Sequence, residues 1–262
     1  MIQIAIDGHS GSGKGELSKG LSKKFNLKHL DTGAILRAIG LYFYNQNITN
    51  PTQNDINLHL ENFQVSVEFD GDTQKTFLNG KNVSTDIRTE QMGQMASRVA
   101  VFKETMQKMI DISQKFAEHY DCVLDGRNIT SEVLPNADVK FFLDAKPEIR
   151  AKRRFDEMIK KNPNITFDEV MSSLVERDYR DTHRDFSRMI IVSDAVVVDN
   201  SNMTIDETIE YCYKICEKIL KNKGKIKWYT NVSFFSAYEK QKTQRTWNTL
   251  SCWQSRRLFC SA

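Results

Sequence analysis

The chain has 262 residues, of which 40% are hydrophobic and 27% charged; this is the composition of an ordinary globular protein and excludes a disordered or fibrous one. Its length suits one α/β domain with small insertions. The formal net charge of +3 is unevenly spread, because seven Lys and Arg but only one acid lie in residues 225–262. The basic character therefore belongs to the tail and gives no reason to infer nucleic-acid binding.

The five cysteines lack the paired spacings of a zinc site or a disulfide framework, so we expect reduced thiols. No basic and apolar leader precedes the first predicted strand. No apolar run approaches the ~20 residues of a membrane helix. These observations favour a soluble cytoplasmic protein without a membrane partner.

Short apolar runs alternate with helical patterns along the chain. The first run, 2–6, leads into a Gly-rich turn, and helical spacing follows at 15–25. Strands that are apolar on both faces and alternate with helices are typical of a parallel sheet between helical layers. The pattern predicts a three-layer α/β fold, with a parallel central sheet and helices on both faces. Further helices are predicted at 32–45, 52–61, 88–118, 147–160, 166–186 and 204–222, and further strands at 122–124, 139–143 and 195–198.

Two segments depart from this alternation. Residues 63–83 read as alternating strands around two turn signals, Asp70-Gly71-Asp72 and Asn79-Gly80, which predicts a small antiparallel insert. From residue 225 onward the sequence shows neither the period of a strand nor that of a helix, and all three Trp lie in this segment. We interpret 225–262 as an appended or out-of-frame segment outside the fold; the alternative is a basic, aromatic tail that binds an acidic surface or nucleic acid.

The segment from Gly8 to Lys14 matches GxxxxGK between a predicted strand and helix, which indicates a phosphate-binding loop. Its glycines let backbone N–H groups surround a β-phosphate, while Lys14 brings positive charge to the β and γ oxygens. Gly15 stands where many such proteins have a hydroxyl on Mg²⁺; a metal-bound water can substitute, so Mg²⁺ is expected without a metal ligand from the side chains. Glu16 is an acid that phosphates would repel, or a solvated capping residue. Predicted ATP contacts come from Gly8, His9, Ser10, Gly11, Ser12, Gly13, Lys14, Gly15 and Glu16.

A kinase for a charged acceptor must gather cations around phosphates. Thr32 opens a predicted helix that carries Arg37, and its hydroxyl is expected to cap that helix. Asp125 and Arg127 follow an apolar strand, at the carboxyl edge where open α/β sheets bind ligands. These residues predict an acceptor site at that edge.

A predicted helix near residue 180 carries Arg177, Asp181 and Arg184 at positions i, i+4 and i+7, which share one face. Alone, such a face is more often a solvated ion-pair surface. Together with the phosphate loop and Arg127, it favours two cations flanking one carboxylate in a binding site.

These segments resemble the bacterial-type cytidylate kinases of the nucleoside-monophosphate kinase fold. The resemblance spans about residues 2–221. It is carried by IDGHSGSGKG (6–15), LDTGAILR (30–37), VSTDIRT (83–89), LDGRN (124–128), LPNADVKFFLDA (134–145), RAKRR (150–154) and ERDYRDTHR (176–184).

The resemblance implies a domain at 1–224, with a monophosphate-binding region at about 32–100 and a short lid at about 153–167. It implies transfer of the γ-phosphoryl group of ATP to CMP or dCMP with Mg²⁺, by a monomer whose closing lid excludes water. Asp125 would orient the acceptor or a metal-bound water, and Arg154 would be a lid arginine near ATP.

The resemblance also implies the acceptor contacts. Arg37 and Arg127 would hold the acceptor phosphate. The other predicted residues line the pocket or divide the sugar and base contacts, with some switching toward the transferred phosphate: Thr32, Arg88, Ser97, Arg177, Asp181 and Arg184.

Four positions depart from the family pattern. Glu16 replaces Thr or Ser, Leu36 replaces Tyr, Met106 replaces Arg and Asn128 replaces Asp. Met106 matters most, because the missing arginine would normally reach the acceptor. Phosphoryl transfer is therefore better supported than cytosine specificity. The alternatives are a kinase for UMP, another monophosphate or shikimate, or a catalytically weakened nucleotide-binding relative; a GTPase-like switch lacks its NKxD signature.

Overall fold

The computed structural model describes residues 1–160 and 162–226, so the predicted tail beyond residue 226 lies outside the described residues. Across the described part, strands and helices alternate as the sequence predicted. The strands are β1 (Gln3–Gly8), β2 (Lys28–Asp31), β3 (Val65–Asp70), β4 (Thr73–Leu78), β5 (Lys81–Asn82), β6 (Cys122–Gly126), β7 (Val139–Asp144) and β8 (Val196–Asp199). The α-helices are α1 (Lys14–Phe25), α2 (Thr32–Asn45), α3 (Gln53–His59), α4 (Glu90–Val99), α5 (Lys103–Ala117), α6 (Pro147–Met158), α7 (Phe167–His183) and α8 (Ile205–Asn222).

A five-stranded parallel sheet with the order β2-β6-β1-β7-β8 forms the centre of the fold. Side chains of β1 alternate between two apolar clusters: Ile4 and Ile6 pack with α1 and α8, and Ala5 packs with α2, α4 and α5. This alternation follows from the period of a strand. The predicted three-layer α/β fold is confirmed.

The insert at 63–83 is confirmed as an antiparallel sheet with the order β3-β4-β5. Its two turns fall at the predicted places, with Gly71, Asn79 and Gly80 at positive φ, as tight hairpins require. Gln74 joins the insert to the central sheet, because its side-chain oxygen accepts from the backbone N–H of Asp31 at 2.8 Å. The hairpin therefore stands beside the carboxyl end of β2.

Three local predictions were wrong. The helix predicted at 88–118 is two helices, separated at 100–102. Strand β2 was not predicted, since only Leu30 of its four residues is fully buried. A π-helical turn at Ile129–Val133 was also missed; it forms because the buried carboxylate of Asp7 accepts the backbone N–H groups of Ile129 and Thr130 at 2.8 Å each.

The two ends of the described region meet. Lys225 Nζ donates to the carbonyl oxygen of Met1 and lies 2.7 Å from Oδ2 of Asp138, so the chain still contacts the domain one residue past the predicted boundary at 224. Among the described residues, Cys122, Cys212 and Cys216 are unpaired and buried, as predicted; Cys252 and Cys260 lie outside them. No helix within residues 1–160 and 162–226 has the length and apolar character to cross a membrane.

Candidate active site

A cleft of about 860 Å³ opens at the carboxyl ends of the parallel strands. Its walls come from the segments that follow β1, β2, β6 and β8, together with the tip of the β3–β4 hairpin. This is the edge where open α/β sheets bind ligands. The cleft gathers most of the predicted site residues, namely Ser10, Gly11, Gly13, Lys14, Gly15, Glu16, Arg37, Arg88, Asp125, Arg127, Arg154 and Arg177.

The phosphate loop is held by contacts on both sides. Gly8 has a φ of 148°, and a Cβ there would lie 2.0 Å from the carbonyl oxygen of Leu143, so the position requires glycine. Arg150, buried in α6, donates to the carbonyl oxygen of Ser10 at 3.1 Å and to Asp178. These contacts fix the backbone of the loop from both sides.

Lys14 lies at the floor of the cleft. Its Nζ donates to the carbonyl oxygen of His9 at 2.7 Å. Burial, and next the positive charge of Arg127, hold the pKa of Lys14 well below its usual value. An ammonium group in such surroundings gains most from an anionic partner, because both desolvation and like-charge repulsion are then offset. Lys14 is thus poised to contact a phosphate.

Asp31 organises the arginines at the opposite wall. Its Oδ2 accepts from Arg37 at 2.6 Å and from Arg88 at 2.9 Å. Burial opposes ionisation of this carboxyl, but the two guanidinium groups outweigh it and hold its pKa below the ordinary value. Asp31 also accepts from the backbone N–H of Ala34 at 3.1 Å, so Asp31 caps α2, and the expectation that Thr32 caps it was wrong.

Thr32 instead binds the neighbouring strand. Its hydroxyl donates to the carbonyl oxygen of Asp125 at 2.8 Å, and Thr32 is the first residue of α2, one position past the cap. The Asp125 carboxylate lies 2.6 Å from Nε2 of His29. Asp125 and His29 both line the cleft, and His29 holds the Asp125 carboxylate in place.

Arg127 and Arg177 project into the cleft between these two walls. Arg127 Nε donates to Asp181 at 2.7 Å, and this buried carboxylate outweighs desolvation to raise the pKa of Arg127. Arg177 is the less compensated of the two: burial, and next the charge of Arg127, lower its pKa to about 10. Its Nε is buried without a hydrogen-bond partner among the described residues. Both groups stay protonated at neutral pH, and Arg177 has donor capacity available for a ligand.

The flank of the cleft beside α8 is built by residues that the sequence did not reveal. Arg153 donates to Asn200 through two contacts, to Oδ1 at 3.0 Å and to the carbonyl oxygen at 2.8 Å. Asn200 in turn donates to the carbonyl oxygen of Ser12 at 2.9 Å. This chain of contacts fixes the flank to the phosphate loop.

Arg154, the predicted lid arginine, lies across the mouth of the cleft. Its guanidinium pairs with Glu90 at the start of α4 and with Glu157 one turn along α6. The pair with Glu90 joins the beginning of the predicted lid to the region predicted to bind the monophosphate. The lid assignment itself stays a prediction.

Several predicted residues do not line the cleft. Ser97 accepts from Arg180 at 3.0 Å. Arg184 is buried at the end of α7 and donates to the carbonyl oxygen of Ser187 at 2.7 Å, with its Nη1 3.9 Å from the sulfur of Met106. Gly8, His9, Ser12, Thr32 and Asp181 support the cleft from behind its surface. The substrate roles of this set stay predictions.

Besides Arg153 and Asn200, three further residues that shape the site were missed by reasoning from the sequence. Asp31 stood inside a quoted motif, and its carboxylate at a strand end beside Arg37 was the available signal. His29 and Gln74 gave no such signal, because each acts through a contact with a residue far along the chain.

Comparison with known proteins confirms the family resemblance. The family model described as cytidylate kinase matches residues 4–218. A relative named cytidylate kinase from Fusobacterium nucleatum subsp. nucleatum is 39% identical over 218 residues, which cover 83% of this chain and 98% of that protein. Relatives with the same name from Caldicellulosiruptor saccharolyticus and Clostridium acetobutylicum are 36% and 37% identical, over 84% and 83% of this chain and 98% of each relative.

Proposed function

This chain belongs to the cytidylate kinase family, and we propose on that premise that it transfers the γ-phosphoryl group of ATP to CMP or dCMP, giving ADP and CDP or dCDP. The observation that carries the proposal is the gathering of cations in one cleft. Lys14 lies on the phosphate-loop side, and Arg37, Arg88, Arg127 and Arg177 line the rest. Two phosphate-bearing substrates that meet in this cleft would have both sets of phosphates neutralised.

The chemistry asks little of the protein beyond this arrangement. In phosphoryl transfer, the acceptor oxygen attacks in line and charge spreads over the transferred group, so positioning and charge stabilisation supply most of the rate. Lys14 would stabilise the negative charge on the β and γ oxygens of ATP. Arg37 and Arg127 would hold the acceptor phosphate, and Arg177 would act toward the transferred group. No general base is needed, because the attacking CMP phosphate is already anionic.

Mg²⁺ fits this site as a companion of ATP. The described residues contain no cluster of three potential metal ligands, and Mg²⁺ in such enzymes is held chiefly by substrate phosphates, waters and at most one or two carboxylates. Asp125 is one of the carboxylates that line the cleft, and it would orient a water bound to the ion. The ion supplies further neutralisation of the phosphate charge.

Recognition of the acceptor base is the finer part of the proposal. Met106 and Asn128 are buried, and the Asn128 amide lies 3.5 Å from a carboxylate oxygen of Glu132, at the limit of hydrogen bonding. Both residues are neutral where the family pattern has Arg and Asp, so the site offers fewer charged groups for recognition of the acceptor base. We propose that the enzyme prefers CMP and dCMP as acceptors. UMP is the alternative acceptor.

We further propose that the enzyme acts as a monomer in the cytoplasm. Light scattering of the purified protein tests the monomer; a dimer would contradict it.

The direct test is ADP production by the full-length protein with ATP, Mg²⁺ and one acceptor at a time: CMP, dCMP, UMP, AMP, dTMP or shikimate. We expect the highest kcat/KM with CMP or dCMP. If UMP or shikimate leads, the acceptor assignment is wrong; if folded protein binds ATP but uses no acceptor, the proposal of catalysis fails.

A further inference from the structure

An acid stands beside the phosphate loop, on the flank of the cleft next to α8. Glu16 lines the cleft from the first turn of α1, and its side chain is 64% exposed. Lys19 also lines the cleft, and its Nζ lies 2.7 Å from Oε1 of Glu16. A carboxylate so near a polyphosphate site is unfavourable for phosphate binding, so this position needs another chemical explanation.

Helix packing shows which way Glu16 faces. Gly20 packs on α8, since a Cβ there would lie 2.5 Å from Cδ1 of Ile209. A Cβ on Gly13 would lie 3.7 Å from Cδ1 of Ile205. Glu16 and Gly20 are four residues apart and share one face of α1. Glu16 is therefore turned toward the beginning of α8, at the flank of the cleft.

The course of a bound donor nucleotide follows from the charges. Its β- and γ-phosphates belong at the loop and Lys14. The acceptor arginines Arg37 and Arg88 pair with Asp31 at the end of β2, whereas Asn200 and Ile205 follow β8, at the other edge of the sheet. The rest of the donor must leave along the flank beside α8. Beyond the α-phosphate, the next groups along this flank are the ribose hydroxyls.

A carboxylate can accept a hydrogen bond from a hydroxyl, whereas it repels a phosphate. An ionised Glu only accepts hydrogen bonds, and acidic side chains that accept from a ribose 2′-hydroxyl recur in nucleotide-binding folds. Lys19 offsets the repulsion between this carboxylate and the nearby phosphates. Glu16 and Lys19 together thus place a hydrogen-bond acceptor for the sugar beside the site for the phosphates, at a small electrostatic cost.

We propose that Glu16 reads the sugar of the donor: its carboxylate accepts a hydrogen bond from the 2′-hydroxyl of the ATP ribose, so the chain favours ribonucleotide over 2′-deoxyribonucleotide donors. This inference rests on the proposed function, because it assigns the donor specificity of the same site.

The experiment compares ATP and 2′-deoxy-ATP as donors for the full-length protein at saturating CMP and Mg²⁺. We expect wild type to favour ATP by about tenfold in kcat/KM, the factor that one hydrogen bond to a charged group supplies. Glu16→Ala brings the ratio of the two donors to about one, while any uniform effect of the removed charge cancels in that ratio. Glu16→Gln keeps a neutral acceptor and an intermediate ratio.

Lys19→Gln is the matched control, because it alters the charge of the pair and leaves the carboxylate; both donors weaken together and the ratio stays near tenfold. A wild-type ratio near one, or a ratio that survives Glu16→Ala, overturns the inference. Failure of the proposed function is seen separately, as no CMP phosphorylation with either donor. In that case equilibrium binding of ATP and 2′-deoxy-ATP to the same variants gives the ratio.

Discussion

Two substitutions of Asp31 separate the two functions of its carboxylate, which caps α2 and pairs with Arg37 and Arg88. In Asp31→Asn the side-chain oxygen still caps α2, but the charged contacts with Arg37 and Arg88 are lost. In Asp31→Ala the cap is lost as well. Without nucleotide at pH 7, both variants are therefore less stable than wild type, and the alanine variant is the less stable of the two.

The structure sets the size of each loss. The contact with Arg37 joins side chains that are 16% and 19% exposed, and a hydrogen bond between charged groups of this kind contributes about 2 kcal/mol. Arg88 is 55% exposed, so its contact adds about 0.5 kcal/mol at most. Loss of the cap costs about 1 kcal/mol. We expect a decrease in the free energy of unfolding of about 2 kcal/mol for the asparagine variant and about 3 kcal/mol for the alanine variant.

The effect has a defined pH dependence. The arginines hold the pKa of Asp31 in the folded state below its ordinary value of 3.8. The stabilisation is therefore complete above that ordinary value and is lost as the pH falls below it, because the unfolded chain takes up the proton first. The gap between wild type and Asp31→Asn should be constant from pH 7 to about 5 and narrow below about 4.

Urea unfolding followed by circular dichroism measures these differences. Asp72→Asn is the matched control, since Asp72 is 85% exposed and pairs with Lys28 at 3.0 Å; we expect a change within about 0.5 kcal/mol. The reasoning is refuted if Asp31→Asn is as stable as wild type at pH 7, or if the gap widens as the pH falls.

Three further perturbations test other parts of the site. Lys14→Met should lower kcat by about 10² to 10³, as loss of a charge-stabilising donor does, with no fall in the thermal unfolding midpoint; retention of more than about a tenth of kcat contradicts the role. Glu90→Gln frees Arg154 from a competing anion and should lower the KM for ATP about twofold in steady-state assays, and an unchanged or higher KM argues against that competition. Gly40→Ala places a Cβ 2.8 Å from the Cβ of Met95, where the cost of overpacking exceeds the gain in helix propensity. Urea unfolding should therefore show a net loss in the free energy of unfolding of about 1 to 2 kcal/mol. Equal or greater stability would mean that α2 and α4 separate at low cost.

Elements with a strong period could be predicted from the sequence, and those shaped by tertiary contacts could not. Helix α2 was predicted at 32–45 because its apolar residues recur with helical spacing. Strand β2 has one fully buried residue in four, too few to give a period. The break between α4 and α5 at 100–102 carries no Gly or Pro, so nothing in the local sequence announced it.

The site shows the same division. The loop at 8–14 could be predicted because its motif is local. The support of that loop by Arg150 and Asp178 could not, because it joins residues that meet only after the sheet has formed. Arg184 was assigned to a helix face from its spacing, but α7 ends at His183 and Arg184 has an extended backbone, so that position was wrong.

The register of β1 has a consequence for the growing chain. Within the part of the chain that the structure describes, the strand that leads into the phosphate loop pairs with β6 and β7 alone, whose last residues are Gly126 and Asp144. Contacts so distant in sequence form late and slow the folding of a domain. During synthesis the loop has no neighbours to hold it until more than half of the chain has left the ribosome. Asn200 and Ile205 complete the cleft later still, so ATP can stabilise only molecules in which the domain is nearly complete, and it does not trap early intermediates.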